Sequence, residues 1–438
     1  MNDAMKRDGI MSVSKWSWIL WFICSAAGFS QQPSQLDTLR IRQIIFIGND
    51  KTKELIIRRE MKTVEGERFD AEQIEADRQR IQNLRLFTRV EIHPIPAEGA
   101  VDLLVILAER WYIFPYLILN VNDRSWDKLA YGVGLAHQNL AGRNIQLNGS
   151  FWLGYNPGVK MQYSNPWITG TANWFFQSSL YSNKITNKNA RLPDFQELHQ
   201  GISLMLGKRW GLHTYLAVEA GYRRVSTPAS YAASLTADGV DHLPHVGAKF
   251  VYDLRDLHEY PKKGWYLALQ VMDYDRLAFQ KFGLDLRRYQ PLYRGLSLAG
   301  RTAVHLSTGV LPLYERYFIG YQERIRGRFN EQSEGDQRLM TSLELRWPIL
   351  TVRYFDLSNP EVPFGSYMNN LPFGLSAAVF WDGGATWDRL YDSGRQKLKQ
   401  GFGLGLHFHL PYVDLLRVEY AFDRQGHPQW ITDLYVWF

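Results

Sequence analysis

The feature that most constrains this chain is a two-residue alternation of apolar and polar side chains, repeated over about three hundred residues and clearest near the C-terminus. Alternation at period two specifies strands with one greasy and one polar face. Leu416, Val418, Tyr420 and Phe422 fall on one side, and Arg417, Glu419 and Ala421 on the other. Phe402, Leu404, Leu406, Phe408 and Leu410 oppose Gly403, Gly405, His407 and His409 in the same way. A soluble sandwich also alternates. Repetition on this scale, with aromatics at the strand ends, favours a closed barrel in lipid around a polar lumen. Composition agrees. Mean hydropathy of −0.30 excludes a bundle of membrane helices but not a barrel, in which half of each strand is polar. The 15 Trp and 24 Tyr suffice for two interfacial girdles.

The N-terminus reads as an export signal. Lys6, Arg7 and Lys15 precede an apolar run from Trp16 to Phe29, with small residues at Ser25, Ala26, Ala27, Gly28 and Ser30. Cleavage after Ser30 makes residues 1–30 a signal peptide and 31–38 a linker. The single cysteine, Cys24, lies within the signal, and Trp21, Phe22 and Ile23 before it make a poor lipid-attachment box. The mature chain then has no disulfide and no thiolate metal site. The formal charge of +6 comes without any basic run longer than two residues, so basic loops and a charged lumen are expected rather than nucleic-acid binding.

Residues 39–110 follow another pattern. A strand-like run at 41–47 leads to a turn at Gly48, Asn49 and Asp50 and a helical stretch to Met61. A second helix starts at Asp70, an N-cap with Gln73 at the capping-box position, and carries Ile74, Ile81 and Leu84 on one face. Strands at 88–93 and 101–107 flank a turn with Pro96 and Gly99. In `IRQIIFIGND`, `NLRLFTRVEI` and `VDLLVILAERW` this α+β segment resembles a POTRA domain. The exposed edge of so small a sheet can accept an extended peptide as an added strand, the alternative being a passive plug or spacer.

Residues 111–438, at about 20 residues per strand and connection, predict about sixteen antiparallel transmembrane strands, giving a mainly β chain. Pro261, Lys262, Lys263 and Gly264 suggest a tight hairpin, and the polar stretches 182–200 and 224–242 suggest long extracellular loops. Five pieces resemble the bacterial surface antigen family of outer-membrane barrels, which includes the BamA and TamA assembly factors and the two-partner secretion transporters. They are `YGVGLAHQNLAG` at 131–142, `YSNPWITG` at 163–170, `YDLRDLHEYPKKGWY` at 252–266, `YERYFIGYQERIRGRF` at 314–329 and `FWDGG` at 380–384.

Two of these pieces bear on mechanism. The family's loop motif is Val or Ile, Arg, Gly, then Phe or Tyr. Here Ile325, Arg326 and Gly327 match, Arg328 departs, and Phe329 comes one place late. The family's second motif, Phe-x-Asp-x-Gly, is complete in Phe380, Asp382 and Gly384. With Leu375, Ala377, Val379 and Trp381 facing lipid, Phe380, Asp382 and Gly384 face the lumen, and Glu344 does so by the same count, opposite Leu343 and Leu345. The expectation is that the loop bearing Arg326 folds into the lumen and pairs with Asp382, with Glu344 as a second acceptor. Gly401, Gly403 and Gly405 read as close-packing lumen positions rather than a nucleotide loop. His407 and His409 read as lumen polarity rather than metal ligands.

A weak closing seam is expected where Pro115 lies in the first barrel strand and Pro428 just before a last strand at 430–438, because proline lacks the ladder donor. Trp430, Thr432, Leu434, Val436 and Phe438 share one face, and an aromatic last residue resembles the recognition signal of barrels inserted by assembly machinery. The resemblance implies a non-enzymatic factor without cofactor or metal, located in the outer membrane with its POTRA-like domain in the periplasm. It implies insertion or translocation of proteins there. Its partners would be unfolded or translocating clients, outer-membrane lipids and subunits of an assembly machinery. The rivals are a passive porin or surface adhesin and a lipid hydrolase. No nucleophile elbow or zinc-protease signature supports the last.

Overall fold

The computed structural model describes residues 39–433, apart from 123–124, 169–172, 188, 190–191, 212, 276–277, 321–322, 329–330, 358–367, 369, 389–397 and 412. The expected signal peptide, the linker, Phe329, Leu434, Val436 and Phe438 lie outside the described residues.

The N-terminal unit runs β1 (Arg40–Ile47), α1 (Glu54–Arg58), α2 (Ala71–Asn83), β2 (Phe87–Ala97), β3 (Ala100–Glu109). Its sheet has β3 in the centre, parallel to β1 and antiparallel to β2. Ile41, Ile57, Ile81, Val101, Leu103 and Val105 form its core, which explains why the apolar residues of α2 recur on one face. Asp70 caps α2 by accepting from the amides of Glu72 and Gln73 at 3.0 and 3.1 Å. The reciprocal half of the expected capping box does not form: the Gln73 amide reaches forward to Asp77 at 3.1 Å.

Sixteen strands then make one sheet in chain order. They are β4 (Ile113–Val121), β5 (Leu129–Leu140), β6 (Ile145–Gly154), β7 (Gly158–Asn165), β8 (Trp174–Thr186), β9 (Gln196–Trp210), β10 (Thr214–Ser226) and β11 (Val240–Asp253). After β12 (Gly264–Tyr274), β13 (Phe279–Pro291) and β14 (Ser297–Gly309), a loop carries the hairpin β15 (Tyr317–Ile319) and β16 (Ser333–Gly335). The sheet resumes with β17 (Gln337–Phe355), β18 (Leu371–Trp387), β19 (Lys399–Leu410), β20 (Val413–Asp423) and β21 (Pro428–Asp433). The expected strand number is met. The alternation also sorts as expected: Val379 is 62% exposed while Phe380 beside it is 2% exposed. Leu117, Val133, Val218, Val246 and Leu404 extend the outward apolar belt around the sheet. No described helix is long and apolar enough to cross a membrane.

Several connections differ from expectation. Residues 254–263 form a ten-residue excursion rather than a tight hairpin, because β11 stops at Asp253 and β12 starts at Gly264. The supposed long loops shrink to 187–195 and 227–239, since polar residues at their ends stay in the ladders β8–β9 and β10–β11. Pro428 is the first residue of β21, opposite Phe422, rather than ahead of the strand. Pro115 lies within β4, opposite Leu135. Among the described residues β4 pairs only with β5 and β21 only with β20.

The N-terminal unit sits on the barrel end that carries the connections 141–144 and 254–263 and Asn370. Lys53 N–H donates to the Gly142 carbonyl at 3.0 Å. Thr52 Oγ1 lies 2.8 Å from the Tyr112 hydroxyl and accepts from the Asn139 amide at 2.9 Å. Asn83 at the end of α2 donates to the Asp256 carbonyl and accepts from the His258 amide, both at 2.9 Å. Arg89 reaches Asn370 Oδ1 at 2.6 Å.

Candidate functional site in the barrel lumen

Strand connections alternate between the two barrel mouths, so the loop between β14 and β17 starts at the mouth opposite the N-terminal unit. It turns inward because its side chains find partners there. Ile325 is fully buried against Ala303, Ile319 and Met340. Gly327 adopts φ +87°, a conformation that favours glycine, and a Cβ there would sit 2.5 Å from the Phe422 carbonyl oxygen. Gly401 is needed on the opposing wall, where a Cβ would come within 1.9 Å of the Arg326 carbonyl oxygen. Gly384 packs against Met340 and Ile319.

This fold-back brings Arg326 to the residues of the second motif. Its Nε and Nη2 donate to Asp382 Oδ2 and Oδ1 at 2.7 and 2.8 Å, a two-pronged pairing that suits the planar guanidinium. Its backbone N–H also donates to Asp382, at 3.2 Å. Nη1 reaches Glu344 at 3.0 Å and Glu419 at 2.8 Å, and the guanidinium carbon lies 3.6 Å from the Phe380 ring centre.

The site is larger than the sequence motifs. Arg346 donates to Glu344 at 2.6 Å, and Arg417 joins Glu344 at 2.5 Å and Glu419 at 3.3 Å. Three guanidiniums therefore face three carboxylates, so the cluster is neutral without further ions. Glu344, His407 and Glu419 converge within 4.8 Å, a carboxylate grouping around His407 that sequence inspection did not find. Both carboxylates are held by guanidiniums, and Arg417 Nε donates to His407 Nε2 at 3.2 Å, so a cation there would have to displace arginines.

The cluster is met from the other mouth by the 254–263 excursion. The Tyr260 hydroxyl lies 3.0 Å from His407 Nδ1, and its ring stacks edge-on against His409. Arg346 donates to the Pro261 carbonyl at 3.1 Å, its guanidinium 4.5 Å from the Tyr260 ring centre.

Further contacts fix the loop on both sides. Glu315 pairs with Arg223 at 2.6 Å and Lys281 at 2.5 Å. Arg324 pairs with Asp433 of β21, and Gly327 N–H donates to Gln429 of the same strand at 3.1 Å. Arg417 and Glu419 had a signal in the sequence, as charges on the polar face of a strand whose other face is greasy. Arg324, Gln429, Asp433 and Tyr260 had none, since their roles depend on how separate connections meet. Trp430 points outward, 68% exposed, with its ring 4.6 Å from that of Tyr420.

Comparison with known proteins agrees with this architecture. The Omp85 superfamily domain matches residues 139–429, and the POTRA family, described as a surface antigen variable number repeat, matches residues 39–110. The outer membrane protein assembly factor BamA of Nitratidesulfovibrio vulgaris is 22% identical over 422 residues, 87% of this chain and 48% of the relative. The chain thus spans about half the length of that curated relative. Among solved structures, CdiB from Escherichia coli aligns over 91% of this chain and 75% of its own, with 15% identity and a TM-score of 0.56. BamA from Haemophilus ducreyi lacking POTRA domains 1–3 aligns over 90% and 83%, with 16% identity and a TM-score of 0.53. At such identities these structures speak for the fold alone. The chain is an outer-membrane barrel with its POTRA domain in the periplasm, and it belongs to the Omp85 superfamily.

Proposed function

We propose that this protein inserts proteins into, or translocates them across, the outer membrane without covalent chemistry, using the infolded loop as a latch and the β4–β21 boundary as a lateral seam. The observation that carries this reading is the loop's double attachment, through Arg326 to the wall strands β17, β18 and β20 and through Arg324 and Gly327 to the last strand. A loop so attached ties barrel closure to lumen occupancy. A passive open pore has no use for a buried neutral ion cluster across its lumen. Clients would meet the β2 edge of the POTRA sheet, since residues 66–69 already hydrogen-bond the start of the β1 edge, and lipids and assembly subunits the barrel exterior.

The test is depletion followed by comparison of the outer-membrane proteome, with cysteine pairs placed between β4 (Leu117, Leu119, Val121) and β21 (Trp430, Thr432). Broad loss of barrels would indicate a general insertase, and loss of one client a dedicated transporter. An unchanged proteome would reject the transport reading. Full activity in a completely crosslinked protein would reject the seam.

A further inference from the structure

The outward faces of β8, β9 and β10 carry polar residues at the mouth opposite the POTRA domain, where the apolar belt gives way. Lys184 and Ser182 of β8, Gln200 of β9, and Arg224 and Tyr222 of β10 all share the outward parity of Leu180, Ile202 and Val218. His242 of β11 is the direct cross-strand neighbour of Arg224. Arg224 donates to Gln200 Oε1 at 3.2 Å, and the Gln200 amide to Ser182 Oγ at 3.4 Å. Tyr222 hydrogen-bonds His242. Among the described residues no carboxylate pairs with Lys184 or Arg224, although the inward neighbour Arg223 is paired with Glu315.

Arg224, Gln200 and Ser182 of this row themselves line one end of a groove of about 400 Å³ that continues over Val159, Met161, Leu180 and Ile202. It crosses four strands, about 14 Å at the usual strand spacing, wide enough for more than one acyl chain. Lys184 and Arg224 lie two strands and two residues apart, about 12 Å between backbones, so both reach one headgroup. Two cations with no carboxylate partner among the described residues, side by side at the lipid–water boundary, favour an anion, and a guanidinium favours phosphate. The hydroxyls, amide and imidazole around them suit sugar hydroxyls better than a small glycerol head. The mouth facing away from the periplasm selects the outer leaflet.

We infer that this surface binds a phosphorylated, acylated glycolipid of the outer leaflet, with its phosphate on Arg224 and Lys184 and its chains in the groove. The site is independent of the transport reading and stands or falls separately from it. The test is binding to the purified full-length chain in detergent, followed by native mass spectrometry. The probes are lipid A, dephosphorylated lipid A, dioleoylphosphatidylglycerol and inorganic phosphate. Lipid A should bind the native chain at least tenfold more tightly than its dephosphorylated form, an arm that needs no variant. K184Q/R224Q should lose a similar factor. Lys208→Gln, outward at the other mouth beside Trp174, should change nothing. Equal binding of both lipid A forms, equal binding of phosphatidylglycerol, or full displacement by inorganic phosphate would each overturn the site.

Discussion

Arg324, in the loop that enters the lumen, pairs with Asp433 of the last described strand, so the infolded loop and the end of the sheet share a salt bridge. Both side chains are mostly shielded, so removing one partner strands the other charge and should cost more than the about 1 kcal/mol ceiling typical of exposed pairs. Asp433→Asn should therefore raise the rate at which a cysteine pair across β4 and β21 crosslinks, because the edge moves more freely. An unchanged rate would mean that Gln429 alone holds the strand.

Arg326 and Asp382 form a buried pair, for which loss of one partner costs about 3–5 kcal/mol by leaving the other charge stranded. Arg326→Ala and Asp382→Ala should each impair function strongly. The double variant should be much less damaged than the sum, and Arg326→Lys should rescue poorly because an ammonium lacks the fork. Additive effects in the cycle, measured by client insertion and urea stability, would remove the latch.

Gly401 offers a test that leaves every charge in place. A methyl at this position would meet the Arg326 carbonyl oxygen at 1.9 Å. Gly401→Ala should displace the loop and expose 315–328 to protease in intact cells, with an effect on function resembling that of Arg326→Ala. Normal protease resistance would show that the wall yields instead.

Asn83 makes two hydrogen bonds to the excursion that carries Tyr260 into the lumen. Losing both should cost about 1–3 kcal/mol, the usual range for hydrogen bonds whose partners are left unsatisfied. Asn83→Ala should accelerate amide exchange at 256–258 without altering exchange in the POTRA core. Uniform acceleration across the POTRA domain would mean that Asn83 stabilises the domain itself rather than the joint.

Asp102 of β3 supplies a pH test in the periplasmic domain. Its hydrogen bonds from Arg42 and Gln43 hold the carboxyl below its ordinary 3.8. A group lowered in the folded state stabilises above its unfolded value and loses that contribution as pH falls through the folded one. Asp102→Asn should speed exchange of the β1 and β3 amides at pH 7, and the gap from the native chain should narrow as pH falls below 3.8.

Strand parity was readable from single residues, because a lipid-facing wall tolerates apolar side chains and a lumen tolerates charge. Phe380, Asp382 and Glu344 are thus assigned inward by the sequence alone. Connection lengths were less legible: the Pro261–Gly264 signal marks a true change of direction, yet the preceding seven residues leave the ladder to reach Arg346 and His407. The same limit applies to Arg324. Nothing local distinguishes it from a solvated loop arginine, since its partner lies about a hundred positions away in sequence.

Two segments enter the lumen from opposite mouths and converge on Glu344, the loop through Arg326 and the excursion through Arg346. Each is anchored to a different part of the molecule, one to the closing strand and one to the periplasmic domain. Removing either segment alone should leave the other in the lumen, so ionic current through a planar bilayer is expected only from a variant that lacks both. A barrel held shut twice in this way would conduct no current at rest, and silence in the native chain and in each single-segment deletion is the expected electrical record.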